Sequence, residues 1–136
     1  MFDFSTTWEA WAAAFLKRIA DSDVQAQALG RSIGFDLEQR RFERDSIVIA
    51  GTPDEVAKVL LQELPSYSYP EIVNLINTEA AHAPQVEVVP LKSFVKGLRG
   101  GGYHLGVVTN DAEGPARAHL DAADVTGLFD FVAGSD

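Results

Sequence analysis

The sequence predicts an α/β chain in two parts, a bundle of about four helices over residues 1–83 and part of a parallel α/β core over residues 84–136. Three observations lead there. Before Pro84 the apolar residues recur at helical spacing. After it, helix and apolar strand alternate with tight turns, the pattern of right-handed crossovers between parallel strands. The 136 residues, 46% apolar, suffice for one full domain or two small ones and exclude wholesale disorder.

In chain order, Thr6-Thr7-Trp8-Glu9 has the form of a capping box, with the Thr6 hydroxyl and Glu9 carboxylate satisfying orphan N–H groups. Trp8, Trp11, Ala12, Phe15, Leu16 and Ile19 then make one apolar stripe, which predicts a helix over about residues 7–20. Trp8, Trp11 and Phe15 read as core, the lesser alternative being aromatics that a cap turns toward a substrate. Lys17 and Arg18 fall in its last turn, where cations suit the helix dipole. Asp23 to Leu29 predicts a short helix closed by Gly30. Asp36 to about Arg44 predicts another, with Leu37 and Arg41 one turn apart. Ser46-Ile-Val-Ile-Ala50 fits a buried strand or a helical turn equally well. Thr52-Pro53-Asp54-Glu55 is a second strong start, with an N-cap, Pro at N1 and Glu at N3. Val56, Val59, Leu60 and Leu64 form its inner face, and Pro65 ends it. Pro70-Glu71 opens a helix carrying Ile72, Val73, Leu75, Ile76 and Ala80, and the boundary falls at His82-Ala-Pro84.

In the second part, Pro90 opens a helix with Leu91, Phe94, Val95 and Leu98 inside, closed by Gly100-Gly-Gly102. That glycine run precedes a strand, so it is a helix stop and not a phosphate loop. Tyr103 to Thr109 predicts a strand, nearly continuously apolar, as expected where helices cover both sheet faces, with His104 buried inside it. Pro115 to Ala123 predicts a helix with His119 exposed, and Phe129 to Ala133 a second strand. Two such strands do not make a self-sufficient sheet. The chain is therefore expected to be part of a longer α/β domain and, by itself, prone to association through uncovered strands.

Eleven Lys or Arg against twenty Asp or Glu leave a net charge of −9. That charge argues against a nucleic-acid or anionic-membrane surface. The absence of Cys removes disulfides, thiolate zinc and cysteine catalysis. No apolar run approaches the roughly 18 residues of a membrane span. A soluble, cytoplasmic, acidic protein is expected, with neither nucleic acid nor membrane as partner.

Chemistry concentrates at Thr109-Asn110-Asp111, where an apolar strand ends in a hydroxyl, an amide and an acid before turning into a helix. In a parallel sheet, strand C-termini and the following helix N-termini converge on the ligand crevice. A Thr hydroxyl and free backbone N–H groups there can hold phosphate oxygens. The same residues also suit a plain helix cap, and spacing alone does not choose.

The stretch from Val89 to Asp111, Val-Pro-Leu-Lys-Ser-Phe-Val-Lys-Gly-Leu-Arg-Gly-Gly-Gly-Tyr-His-Leu-Gly-Val-Val-Thr-Asn-Asp, resembles the second conserved block of the haloacid dehalogenase-like hydrolases. Leu128-Phe-Asp-Phe-Val-Ala-Gly-Ser135 is similar to the strand leading into that family's third block. The helical region beginning at Phe2-Asp-Phe-Ser-Thr-Thr-Trp8 resembles the cap of its phosphoglycolate-phosphatase-like branch. The resemblance implies a helical-bundle cap over part of a Rossmann-like parallel α/β core. It also implies Mg²⁺ as cofactor and a small phosphate ester, phosphoglycolate-like as the first guess, cleaved through an aspartyl-phosphate. Thr109 inherits the phosphoryl-holding catalytic role, with Asn110 adding a backbone N–H.

The nucleophile motif Asp-x-Asp-Gly-Thr is absent, since only Met1 and Phe2 precede Asp3-Phe-Ser-Thr-Thr7. The third-block Lys and fourth-block acids are absent as well. These 136 residues alone are therefore expected to be an inactive portion of a phosphatase, and Mg²⁺ ligands are not expected among them. The competing reading is a non-catalytic binding or assembly module on the same fold. Arg40 and Arg41, with Arg44, form a basic cluster that could draw an anionic substrate toward the cap. A solvated helix face paired with Glu38 and Glu43 is the favoured alternative.

Overall fold

In the computed structural model, which describes residues 1–136, the first helix α1 (Phe4–Ile19) starts earlier than the Thr6 capping box predicts. Asp3 is the N-cap, its Oδ1 accepting the Thr6 N–H at 2.7 Å. A carboxylate both takes an orphan N–H and complements the positive end of the helix dipole, so it displaces the Thr6 hydroxyl from that role. Trp11, Ala12, Phe15, Leu16 and Ile19 are buried as the stripe predicts, with Trp11 stacked on Phe15 at 5.0 Å between centroids. Trp8 is only partly buried.

Helix α2 (Asp23–Ser32) runs past Gly30. A Cβ at Gly30 would lie 2.7 Å from the Phe35 carbonyl oxygen, so this glycine permits close packing and does not end the helix. The chain instead reverses at Gly34, whose φ of +70° lies in the left-handed region. The helix expected over 36–44 is a hairpin, β1 (Phe35–Asp36) antiparallel to β2 (Arg41–Phe42). Asp36 makes the turn by accepting the N–H groups of Glu38 and Gln39 at 2.9 and 2.8 Å, the local competition by which Asp disfavours helix interiors. Ser46 then caps the single turn α3 (Ile47–Ala50). The Thr52–Glu55 capping box is present in both directions and opens α4 (Pro53–Leu60), which tightens into a 3₁₀ turn over Leu61–Glu63. A second capping box, Ser68–Glu71, opens α5 (Tyr69–Ala81). Leu16, Leu29, Leu60, Phe35 and Ile72 meet in one core, where full burial of such a side chain contributes roughly 1.5–3 kcal/mol.

Beyond Pro84 lie α6 (Leu91–Gly100), β3 (Gly106–Val108), α7 (Glu113–Ala122) and β4 (Phe131–Ala133). Strands β3 and β4 pair in parallel, Gly106 with Phe131, Val107 with Val132 and Val108 with Ala133. Leu91, Val95, Val107, Leu120, Val125 and Val132 form a second, smaller core. One face of this pair is bare, in line with the expectation of uncovered strands: Val108 is 76% and Phe131 56% exposed. Phe94, expected inside, is equally open, because α6 packs only its Leu91–Val95 side.

Overall, helices predominate over two small sheets. The two cores meet where α5 packs on α7. There His119, expected to be exposed, is buried and its Nε2 donates to the Ala80 carbonyl at 2.7 Å. His104, expected in a buried strand, has a side chain 94% exposed beside Asp130, because the ladder starts only at Gly106. No helix is long and apolar enough to cross a membrane.

Candidate functional site

The β3–β4 ladder runs one bond past its strands: the Thr109 N–H donates to the Ala133 carbonyl at 3.0 Å. That bond fixes Thr109 at the strand end, and the Thr109 Oγ1 then accepts the Asp111 N–H at 3.1 Å, closing a tight turn. The Asp111 carbonyl accepts the Ser135 N–H at 2.9 Å, which holds the turn against the chain after β4. Within this turn the Asn110 backbone N–H has no partner in the chain. The first N–H of α7, on Glu113, is already taken by Asp136 Oδ1 at 2.7 Å. A carboxylate therefore already sits on the positive end of that helix dipole.

Thr109, Asn110 and Asp111 line one side of a cavity of about 230 Å³. Its opposite wall comes from the helical part: Phe4, Trp8 and Trp11 of α1, Val48 and Ile49 of α3, and Val56 of α4. Gly51 and Thr52, between α3 and α4, complete the polar end. The Asn110 side chain bridges the two walls, its Nδ2 donating to the Gly51 carbonyl at 2.7 Å. The amide of Asn110 thus ties the strand end to the helices, a role its sequence context did not suggest.

Asp111 is the sole ionisable side chain in the lining. Burial pushes its carboxyl above the usual carboxylate range, while the charge of nearby His119 pulls the other way. The imidazole of His119 lies edge-on to Phe2 and Trp8, at 6.4 and 6.1 Å between centroids. It anchors α7 to α5 through the Ala80 carbonyl and does not line the cavity.

The other predicted residues lie elsewhere. Arg40 and Arg41 sit on the β1–β2 hairpin and do not line the cavity. Arg40 adopts a φ of +53° in the hairpin turn. Neither they nor Arg44 forms an ion pair with Glu38 or Glu43, because the helix that would have aligned them is a hairpin. No three His, Asp or Glu residues come close enough together to hold a metal ion, so the Mg²⁺ implied by the resemblance finds no ligand set among these residues.

Sequence reasoning missed Phe4, Val48, Ile49 and Gly51. A strong N-cap at Thr52 was visible, but nothing local says that it faces a turn more than fifty residues later. Comparison with family models, curated proteins and solved structures finds no match for this chain.

Proposed function

We propose that these residues form the phosphate-holding strand end and the helical cover of a phosphatase resembling the haloacid dehalogenase-like hydrolases, acting on a small phosphorylated molecule. The observation that carries this reading is the shared cavity, in which the Thr109 turn at the open end of a parallel strand faces the helices encoded before it. The parallel pairing of β3 and β4 around α7 supports this reading, since ligands of open parallel sheets bind at the strand C-termini.

In this reading the phosphoryl oxygens meet the Thr109 hydroxyl and the free Asn110 N–H, while the aromatic wall excludes water. Thr109 and Asn110 bind and orient. The nucleophile and general acid of the resemblance have no counterpart among these residues, and 4-nitrophenyl phosphate is accordingly expected to pass unhydrolysed, with or without Mg²⁺. Turnover above that of a Thr109→Ala variant would contradict the assignment of roles.

Titration with inorganic phosphate tests the binding step. The amide resonances of Thr109, Asn110 and Asp111 should move together. Thr109→Val removes both the hydroxyl donor to phosphate and the acceptor of the Asp111 N–H, and should weaken binding at least about tenfold. Shifts confined to other residues, or affinity unchanged in the variant, would remove the phosphate site.

A second reading, a binding or assembly module on the same fold, draws on the bare β3–β4 face at Val108 and Phe131. It predicts a macromolecular partner for that face, with Thr109 serving as an ordinary turn residue.

A further inference from the structure

The cavity wall has a composition that selects among phosphate esters. No Lys, Arg or His lines it, its one charge is the Asp111 carboxylate, and the rest of the helical wall is aromatic or aliphatic. The cationic residues Arg40 and Arg41 on the hairpin, and Arg44 in the turn after it, lie outside this lining. A ligand with a second anionic group beyond its phosphate, such as the carboxylate of phosphoglycolate, would be desolvated against Phe4, Trp8 and Ile49 without a counter-ion. The phosphate already lies beside the Asp111 carboxylate, so a second anionic group adds to the negative charge gathered in one lining.

An uncharged ring meets the opposite conditions. Its burial gains about 25 cal/mol per Å² of apolar surface. The indole of Trp8 and the ring of Phe4 offer edge-to-face partners. Size agrees: a dry apolar cavity of roughly 150 Å³ accepts benzene, so about 230 Å³ holds one ring-sized group with its polar attachment and little more.

We propose that this site takes phosphate monoesters of compact, uncharged, apolar alcohols or phenols, and discriminates against esters bearing a second anionic group. The inference rests on the Thr109 phosphate reading and departs from the phosphoglycolate-like ligand that the resemblance implies.

Three ligands distinguish the two claims: inorganic phosphate, phenyl phosphate and phosphoglycolate, each titrated into the 136-residue chain. Binding is followed by the fluorescence of Trp8 and Trp11, the only tryptophans, and by the Thr109 amide resonance. Phenyl phosphate should bind about tenfold tighter than either other ligand, with quenching that the others do not produce. Ile49 is 42% exposed, so Ile49→Arg should leave the fold intact by circular dichroism. It places a cation on the wall and should bring phosphoglycolate to at least the affinity of phenyl phosphate.

If phenyl phosphate binds no tighter than inorganic phosphate, or Ile49→Arg leaves the order unchanged, the specificity inference is overturned while a Thr109-dependent phosphate site stands. If inorganic phosphate does not bind, or Thr109→Val leaves phenyl phosphate affinity untouched, the phosphate reading fails and takes this inference with it.

Discussion

Asp111 faces two demands at one position. Its backbone closes the turn that presents Thr109, through the N–H bond to the Thr109 hydroxyl and the carbonyl bond to Ser135. Its side chain meanwhile is half-buried on an apolar cavity, where burial raises the carboxyl above the ordinary 3.8. An acid whose folded pKa is raised stabilises the fold when protonated, and that contribution is lost as pH rises through the folded value. At neutral pH the ionised side chain is therefore a net cost. Asp111→Asn keeps both backbone bonds and should raise the urea midpoint at pH 7, the gain shrinking to nothing as pH falls below the ordinary carboxylate range. A midpoint lowered at pH 7 would show that the carboxylate makes a compensating interaction.

At the scale of elements, the segment from Gly34 to Phe42 shows how one turn redirects a region that reads as helical. Gly34 lies in the left-handed region, and a Cβ there would come within 2.8 Å of the Ser46 Cα. Two bonds converge on this corner: Ser46 Oγ donates to the Ile33 carbonyl at 2.5 Å, and the Glu43 N–H donates to the Gly34 carbonyl at 2.8 Å. Gly34→Ala should cost about 1–2 kcal/mol for the backbone conformation alone, and more once the clash is relieved, measurable as a lowered denaturation midpoint. The α3 wall of the cavity follows directly from Ser46, so the same variant should also loosen Val48 and Ile49. In the small sheet, Phe131 lies across Gly106, where an added Cβ would be 2.3 Å from the ring; the glycine is occupied space and not an open kink.

At the scale of the molecule, two cores of unequal size are joined at three places. Helix α5 packs on α7 around His119, the Asn110 amide reaches Gly51, and the chain start pairs with the segment leading into α6. That last link is an antiparallel bridge at Phe2 and Glu87, flanked by the Asp3 N–H to Val86 carbonyl bond at 2.8 Å. The cavity lies at the junction, so its shape depends on both cores. The bare face and open edges of the β3–β4 sheet favour pairing with other strands. Val108→Lys, at an open position, should reduce self-association in light scattering while shifting stability by no more than about 0.5 kcal/mol. Unchanged association would mean that this face is not the sticking surface.

Local signals in the sequence determined the features that depend on neighbours along the chain. The α1 stripe, the Thr52–Glu55 capping box, the glycine stop after α6 and two parallel strands flanking a helix all follow from spacing and hydrogen-bond chemistry within a few residues. The Thr109-Asn110-Asp111 turn was legible for the same reason, as a polar cluster ending an apolar strand. Only the tertiary structure decided what that turn faces, that the region 36–44 is a hairpin, that His119 is inside and His104 outside, and that Arg40 and Arg41 lie away from the cavity. These depend on contacts between segments distant in sequence. A one-residue change in where a strand begins, or a single left-handed glycine, reverses which side chains turn inward.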